Sequence, residues 1–198
     1  MKIMGLLKRF LRDKSAVAIV EFAMILPVLL VMTVGSFEVA RYAFLTQKLD
    51  RISATLADLT ARAEALTAAE VDNLFNSIEH LAQPFSFDEE GMVVISSVVG
   101  RAGLDPLIIG QKIQGEIPDH DSKIGTNGET ATLPGVFTDE DGQTLKDGEG
   151  LIVTEVFYSF APYFTGGDTG ILSDVLGTTT LYRQSFFRPR LSEKTTFD

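Results

Sequence analysis

Residues 16–35 form an almost uninterrupted apolar run in which Glu21 is the only charged residue. A helix that spans a bilayer needs about 20 mostly apolar residues, whereas the apolar region of a secretory signal has only about 7–15. The run therefore predicts a membrane-spanning helix over about 17–37. Conventional signal cleavage near Thr33 or Gly35 is the less favoured alternative, because the run has the length of a span.

Pro27 lies inside this predicted helix and removes one backbone donor from it. Proline also clashes with the preceding turn, so we expect a kink at this position. In a membrane the freed carbonyl can be satisfied by neighbouring helices. A proline without any special role in the membrane is an equally weighted alternative.

Glu21 is the residue of the run that most needs an explanation. A carboxylate near the centre of a bilayer costs about 2.5–3.5 kcal/mol on insertion scales, so an intramembrane acid is a candidate functional residue. The alternative is a tolerated defect, or a side chain that reaches the inner surface. A suitable partner would be a free α-amino group at the same depth, and cleavage between Ala16 and Val17 would create one.

The charge of the chain is divided sharply at the start of the apolar run. Residues 1–16 carry five basic side chains and one acidic side chain, whereas the remainder carries 12 basic and 26 acidic residues. Because positive charge marks the cytoplasmic side of a span, we expect the N-terminus inside and the acidic remainder outside. An acidic body also argues against nucleic-acid binding, which needs cations to displace phosphate counterions.

The sequence offers no recognisable catalytic set. It has no cysteine, and therefore no disulfide, thiol nucleophile or cysteine-ligated metal. Phosphate-binding loops, a nucleophile elbow and a paired histidine with a nucleophile are also missing from the sequence. We therefore predict no enzymatic activity and no cofactor.

Three short features suggest metal or catalytic chemistry only weakly. Asp119–Asp121, reading DHD, is too compact for all three side chains to reach one ion, and the other histidine, His80, is distant in the sequence. The stretch 139–149 has the composition of a calcium loop, but Gly142 falls at the fourth place, where an EF-hand requires the sixth. We predict a solvated acidic turn there, a looser calcium site being the alternative, and no metal site elsewhere.

The N-terminal sequence resembles that of a known class of secreted fibre subunits. LKRFLRDKSA followed by VAIVEFAMILPVLL is similar to the class III signal of type IV prepilins, and VEFAMILPVLL resembles the TadE/TadG-like pseudopilins of the tight-adherence (Flp) pilus system. The segment 51–82 and the late sequences in 151–191 resemble the same family. Residues 105–150 resemble nothing that we can name.

The resemblance implies roles for five positions. Ala16 would precede the bond cut by a prepilin peptidase, and Val17 would be the new N-terminus. Glu21, followed by Phe22, would neutralise the amine of a neighbouring subunit and set the register of assembly. Pro27 would kink the helix. The family usually has glycine where this chain has Ala16, and an uncleaved, membrane-anchored scaffold protein is the alternative.

Beyond the membrane a second periodic pattern begins. Apolar residues recur at alternating intervals of three and four, a heptad spacing that predicts a helix continuing to about residue 66. The stripe would either dock on the protein's own domain or pack against helices of other subunits, and the sequence favours neither. Its members are Tyr42, Leu45, Leu49, Ile52, Leu56, Leu59, Ala63 and Leu66.

A second helix is predicted over about 68–82. The sequence TAAE at Thr67–Glu70 has the form of a capping box, which marks a helix N-terminus. Pro84 would end the helix. The helix would present one apolar face made by Val71, Leu74, Phe75, Ile78 and Leu81.

The remainder reads mainly as strands. Segments beginning at residues 91, 151 and 178 are rich in β-branched and aromatic residues, and 170–177 has the pattern of a short amphipathic helix. Strands packed behind a helix predict an α+β fold with an antiparallel sheet. A long stretch near 110–150, rich in Gly and Asp, is expected to be a loop with family-specific surface contacts.

These observations divide the chain into four parts: a basic leader (1–16), a transmembrane segment (17–37), an extracytoplasmic stem of two helices (38–83) and an α+β domain (84–198). We expect a single-pass protein of the inner membrane and, from the resemblance, a pilin-like fold and a minor pilin function in pilus assembly and adhesion. The implied partners are membrane lipid, the prepilin peptidase, other pilin or pseudopilin subunits and the assembly machinery. A tethered extracytoplasmic binding or sensor domain is the other alternative.

Overall fold

A computed structural model describes residues 15–137, 145–163 and 177–197 of the 198-residue chain. The basic leader before Ser15 and the amphipathic segment predicted to start at residue 170 lie outside the described residues, apart from the final Gly177. The chain forms two compact units, Met1–Arg41 and Tyr42–Asp198.

The first unit consists of the N-terminal part of helix α1, which extends over Ser15–Ala61. Leu, Met and Ala in this run favour a helix because they lose little side-chain freedom in it. The β-branched Ile and Val lose more. The helix continues through Pro27. Thr33 and Ser36 donate their hydroxyl protons to the carbonyls of Leu29 and Met32, four residues earlier. The kink stays a prediction.

In the second unit, α1 ends at Ala61, five residues before the predicted end. The N–H groups of Arg62 and Ala63 tighten the last turn by bonding to carbonyls three residues earlier, at 3.2 Å each. The chain then forms strand β1, Ala65–Leu66, which pairs in parallel with strand β6, Thr196–Phe197. Leu66 is therefore buried as a strand residue and not as a member of the helical stripe.

The apolar stripe of α1 packs on the protein's own sheet, and this docking on its own domain was one of the two arrangements that the heptad spacing predicted. Leu45, Leu49 and Leu56 are all fully buried. Tyr42 and Leu59, at the ends of the helical stripe, are 42% and 40% exposed. Residues seven apart on an ideal α-helix are rotated by about 20° relative to each other. Residues at the two ends of a strict heptad stripe therefore turn away from the buried side of the helix.

Helix α2 occupies Ala68–Ala82, as predicted, and begins with the predicted capping box. The Glu70 N–H donates to the Thr67 hydroxyl oxygen at 3.4 Å, and the Thr67 N–H donates to the Glu70 carboxylate at 2.9 Å. The hydrogen bond from the Thr67 backbone, and then that from its hydroxyl, lower the pKa of Glu70 below its usual value. A one-turn helix α3, Phe87–Glu90, follows.

The sheet has four antiparallel strands, which confirms the predicted α+β class. The strands are β2 (Gly91–Arg101), β3 (Leu104–Gly115), β4 (Gly150–Phe160) and β5 (Thr179–Phe187), in the spatial order β3-β2-β4-β5. Strand β3 was not predicted, and its last residues, 110–115, were placed in the long loop. The loop between strands therefore begins only after Gly115.

Both faces of the central strands are buried, because helices cover one face and the described part of 116–149 covers the other. The long stretch predicted as a loop is thus a third layer and includes a short 3-10 helix, Gly135–Phe137. This double burial explains the continuous apolar sequences of β2 and β4. The helical face carries Val93, Ile95, Ile152, Val156, Tyr158 and Phe160, and the opposite face packs Val98, Leu151 and Val153 against Ile108, Ile124, Ala131 and Leu145.

The C-terminal segment, 188–197, connects the end of α1 to the sheet. The Arg190 N–H donates to the Ala61 carbonyl at 2.8 Å, and the Thr195 hydroxyl donates to the Ala63 carbonyl at 2.9 Å. On the other side, the Ser97 hydroxyl donates to the Thr195 carbonyl at 2.6 Å. The bond to Ala61 satisfies a carbonyl that the helix C-terminus leaves without an intrahelical donor, and the other two join the segment to the following turn and to β2.

Candidate membrane and assembly surface

The N-terminal half of α1 presents an apolar surface to its surroundings. Val17 is 56% exposed, Phe22 58% and Met24 74%, and the most apolar stretch of the helix has no buried part. Soluble monomers rarely expose continuous apolar patches larger than a few hundred Å². The helix is long and apolar enough to cross a membrane, which is the environment that such a surface fits.

Glu21 lies on this exposed surface. On a helix, residues four apart share a face, so Glu21 is in one row with Val17 and Ile25. The first cation that follows it in the sequence is Arg41, 20 residues later and therefore about 30 Å along the helix. Arg41 forms an ion pair with Glu38 at 3.2 Å. The part of the helix that follows Glu21, up to residue 40, thus supplies no cation to it.

Pro27 leaves a backbone carbonyl close to Glu21 in the sequence without its usual hydrogen-bond donor. A residue at this position would normally donate its N–H to the carbonyl of Ala23, and proline has no such proton. Ala18 and Ala23 have small side chains that permit close approach of another helix. The sequence therefore places a carboxylate, a carbonyl without its usual donor and two small residues within ten positions.

Ala16 and Val17, the residues of the predicted cleavage site, lie at the start of the described part of α1, Ser15–Ala61. Cleavage between them stays a prediction.

Sequence reasoning missed a second polar site, which lies in the sheet domain. Glu155 of β4 is fully buried, on the sheet face that 116–149 covers. Its carboxylate accepts hydrogen bonds from the Ser122 hydroxyl, from the Lys123 N–H at 2.9 Å and from the Tyr182 hydroxyl at 2.9 Å. The one signal in the sequence is that a glutamate interrupts an otherwise apolar face of the strand.

Tyr182 links the Glu155 site to a neighbouring cation. The Lys123 ammonium nitrogen lies 3.8 Å from the centre of the Tyr182 ring, in a cation–π contact. Burial, and then the neighbouring Glu155 charge and hydrogen bond, raise the pKa of Tyr182 above its usual range. Because the buried carboxylate accepts hydrogen bonds from Ser122 and Lys123 as well as from Tyr182, it fixes 122–123 to the sheet.

The other polar residues singled out in the sequence do not form a cluster. The His120 Nδ1–H donates a hydrogen bond to the Pro118 carbonyl at 2.9 Å, and its ring packs against Phe157. His80 lies on an exposed part of α2. Across the described ranges, no group of three or more acidic or histidine side chains is arranged to hold a metal. Residues 139–144 of the acidic stretch lie outside the description.

Within the described ranges, these features define one helix long and apolar enough to span a membrane, together with an α+β domain. The family model for TadE-like protein matches residues 16–58. The match confirms the resemblance to TadE/TadG-like proteins of the tight-adherence pilus system, and it covers the helix that carries Glu21 and Pro27. A search of curated proteins and a search of solved structures each found no significant match.

Proposed function

We propose that the protein is a minor pilin or pseudopilin of a tight-adherence pilus assembly machine. In this proposal α1 anchors it in the inner membrane, with the basic N-terminus in the cytoplasm and the acidic domain outside. The function is physical, through insertion and packing, and not catalytic. The observation that carries the proposal is a TadE-like helix whose exposed apolar surface contains one carboxylate, Glu21.

The proposed assembly step begins with the leader. A prepilin peptidase cleaves between Ala16 and Val17, and the new α-amino group becomes the cation that the outer part of the helix lacks. In low dielectric this amine and the Glu21 carboxylate of a neighbouring subunit stabilise each other, which favours lateral packing of the helices. Ala18 and Ala23 let the helix backbones approach closely.

Processing is tested by the mass and the N-terminal sequence of the protein extracted from membranes of strains with and without the prepilin peptidase. We expect Val17 as the N-terminus only where the peptidase is present. An Ala16→Gly variant should be processed at least as completely, and Ala16→Leu should remain uncut because the residue is too large. An unchanged mass in both strains would favour the uncleaved scaffold, the alternative that Ala16 in place of glycine suggests.

Assembly is tested by replacing Glu21 with glutamine, which keeps its size and removes its charge. We expect this variant to be inserted and processed normally but to support at most a tenth of the normal number of pili. The control is a double variant, Glu21→Ile with Ile25→Glu, which keeps the composition of the helix and moves the acid by one turn. Normal pilus numbers in both variants would contradict the proposed role of Glu21 and leave a tethered extracytoplasmic module.

A further inference from the structure

The outer edge of β3 is only half covered. Near its start, the Ile108 N–H donates to the Glu129 carbonyl at 3.0 Å, and the Ile108 carbonyl accepts from the Gly128 N–H at 2.9 Å. From Gln111 to Gly115, by contrast, no backbone hydrogen bond joins this edge to any described residue. The second half of β3 therefore presents free backbone groups, in the sheet position where unpaired strands template the addition of another strand.

The direction of these free groups follows from the strand pairing. Ile108 points its backbone groups outward and is paired with Val98, and an irregularity in register separates this pair from Gly110 and Ser97. Because hydrogen-bonded and non-hydrogen-bonded pairs alternate in an antiparallel ladder, Gln111, Ile113 and Gly115 then point their N–H and C=O groups away from β2. Three residues thus offer both a donor and an acceptor along about 14 Å of edge.

A groove follows the same edge, between β3 and helix α2. It consists of two adjoining cavities of about 480 and 290 Å³, which share Phe75, Asn76 and Gln114. The floor is apolar, since Val71 and Phe75 are only 4% and 7% exposed. Ile113, at the open edge itself, is 55% exposed.

Two polar features show what the groove would accept. The side-chain oxygen of Gln114 is buried and has no hydrogen-bond donor within the described part of the chain. Exposed carboxylates at Asp72 and Asp88 line the groove, against the single ammonium group of Lys112. A ligand that brings donors and positive charge would satisfy the oxygen and balance the carboxylates.

We propose that this edge and groove bind an extended polypeptide segment with alternating apolar and basic side chains, added as a fifth strand beside β3. Backbone groups of the segment pair with Gln111, Ile113 and Gly115, and every second side chain enters the groove against α2. Free backbone groups in a β register demand a polypeptide backbone, and the acidic rim selects positive charge. The site lies in the sheet domain and does not depend on Glu21 or on processing at Ala16.

The test uses the full chain in lipid nanodiscs and three fluorescein-labelled octapeptides with blocked ends. TKVTVKVT is the basic extended probe, TEVTVEVT reverses its charge, and TKPTPKPT keeps its charge but lacks three backbone donors. Fluorescence anisotropy should show saturable binding of the first peptide. The second and the third should bind at least tenfold more weakly, because one meets like charges and the other cannot complete the strand pairing.

Protein variants locate the binding. A D72K and D88K double variant should weaken the basic probe at least fivefold and strengthen the acidic probe. D105K, at the start of the same strand and outside the groove, is the control for charge on β3 and should stay within twofold of wild type. I113P removes an outward N–H and should abolish binding. Because proline could disturb β3, hydrogen exchange of β2 and β4 must first be unchanged in this variant.

Hydrogen exchange also distinguishes strand addition from binding by charge attraction alone, because charge attraction would not slow amide exchange in β3. Bound TKVTVKVT should slow amide exchange at least fivefold in peptides that cover 110–115, and leave those that cover 104–108 unchanged. Equal binding of the three probes, or binding without this protection, would overturn the proposal. A concentration-dependent dimer that D72K abolishes, with no peptide binding, would assign the edge to a second copy and also overturn it.

Discussion

Replacement of Glu155 by leucine would remove the acceptor that joins 122–123 to the sheet. Three donors use this carboxylate in the folded protein: the Ser122 hydroxyl, the Lys123 N–H and the Tyr182 hydroxyl. The Tyr182 hydroxyl also lies 2.6 Å from the Gln184 side-chain oxygen and can donate there instead. Leucine therefore leaves two donors, on Ser122 and Lys123, without an acceptor.

The expected loss follows from these two donors. A buried polar group that loses its partner costs about 1–3 kcal/mol, and the removal of a buried charge returns part of this. We expect Glu155→Leu to lower the free energy of unfolding by about 2–4 kcal/mol. Glu155→Gln keeps one acceptor oxygen of the same size, so its loss should be about 1 kcal/mol.

The assay is amide hydrogen exchange of β2 and β4 in the full chain, which reports the free energy of opening the sheet separately from the unfolding of the apolar N-terminal helix. Ser122→Ala provides the matched control. It should destabilise the wild type but have almost no effect in the Glu155→Leu background, where the hydroxyl has already lost its partner. The reasoning would be refuted if the leucine variant stayed within about 0.5 kcal/mol of wild type.

Three further outcomes follow from the structure. The raised pKa of Tyr182 means that the folded state holds the hydroxyl proton more tightly than the unfolded state does. The free energy of unfolding should therefore fall as the pH rises above about 10. Alkaline denaturation should show a smaller fall for Tyr182→Phe. Thr67→Ala removes the N-cap of α2 and should cost about 0.5–2 kcal/mol, with faster exchange confined to that helix; unchanged exchange there would contradict the capping role. Leu49→Ala empties a fully buried position and should cost about 2–5 kcal/mol in the same measurement, whereas the exposed Leu59→Ala should cost far less.

Local signals in the sequence were sufficient for the two helices. The apolar run and the capping box at Thr67 act within one or two turns, and neither depends on distant parts of the chain. Local signals of this kind could not predict the residue at which α1 ends. The helix ends at Ala61 because residues 188–197, more than 120 positions later, supply donors to its last carbonyls and a partner for β1.

Strand β3 and the Glu155 site were missed for a related reason. Pro106 and Gly110 weaken the strand signal, although an edge strand tolerates both better than a central strand does. The acceptor role of Glu155 depends on Ser122 and Lys123, which reach it from a segment with weak periodicity. The proposed role of Glu21 differs from both, since the sequence placed Glu21 on the helix and the partner that we propose for it belongs to a neighbouring subunit.

The bonds between 188–197 and the end of α1 set an order of events during synthesis. The helix is made first, but the carbonyls of Ala61 and Ala63 receive their donors only after Arg190 and Thr195 have been translated. Until then the sheet domain lacks its last connection to the helix that carries it. A ribosome that stalled before Arg190 would therefore leave a helix end whose carbonyls still lack these donors.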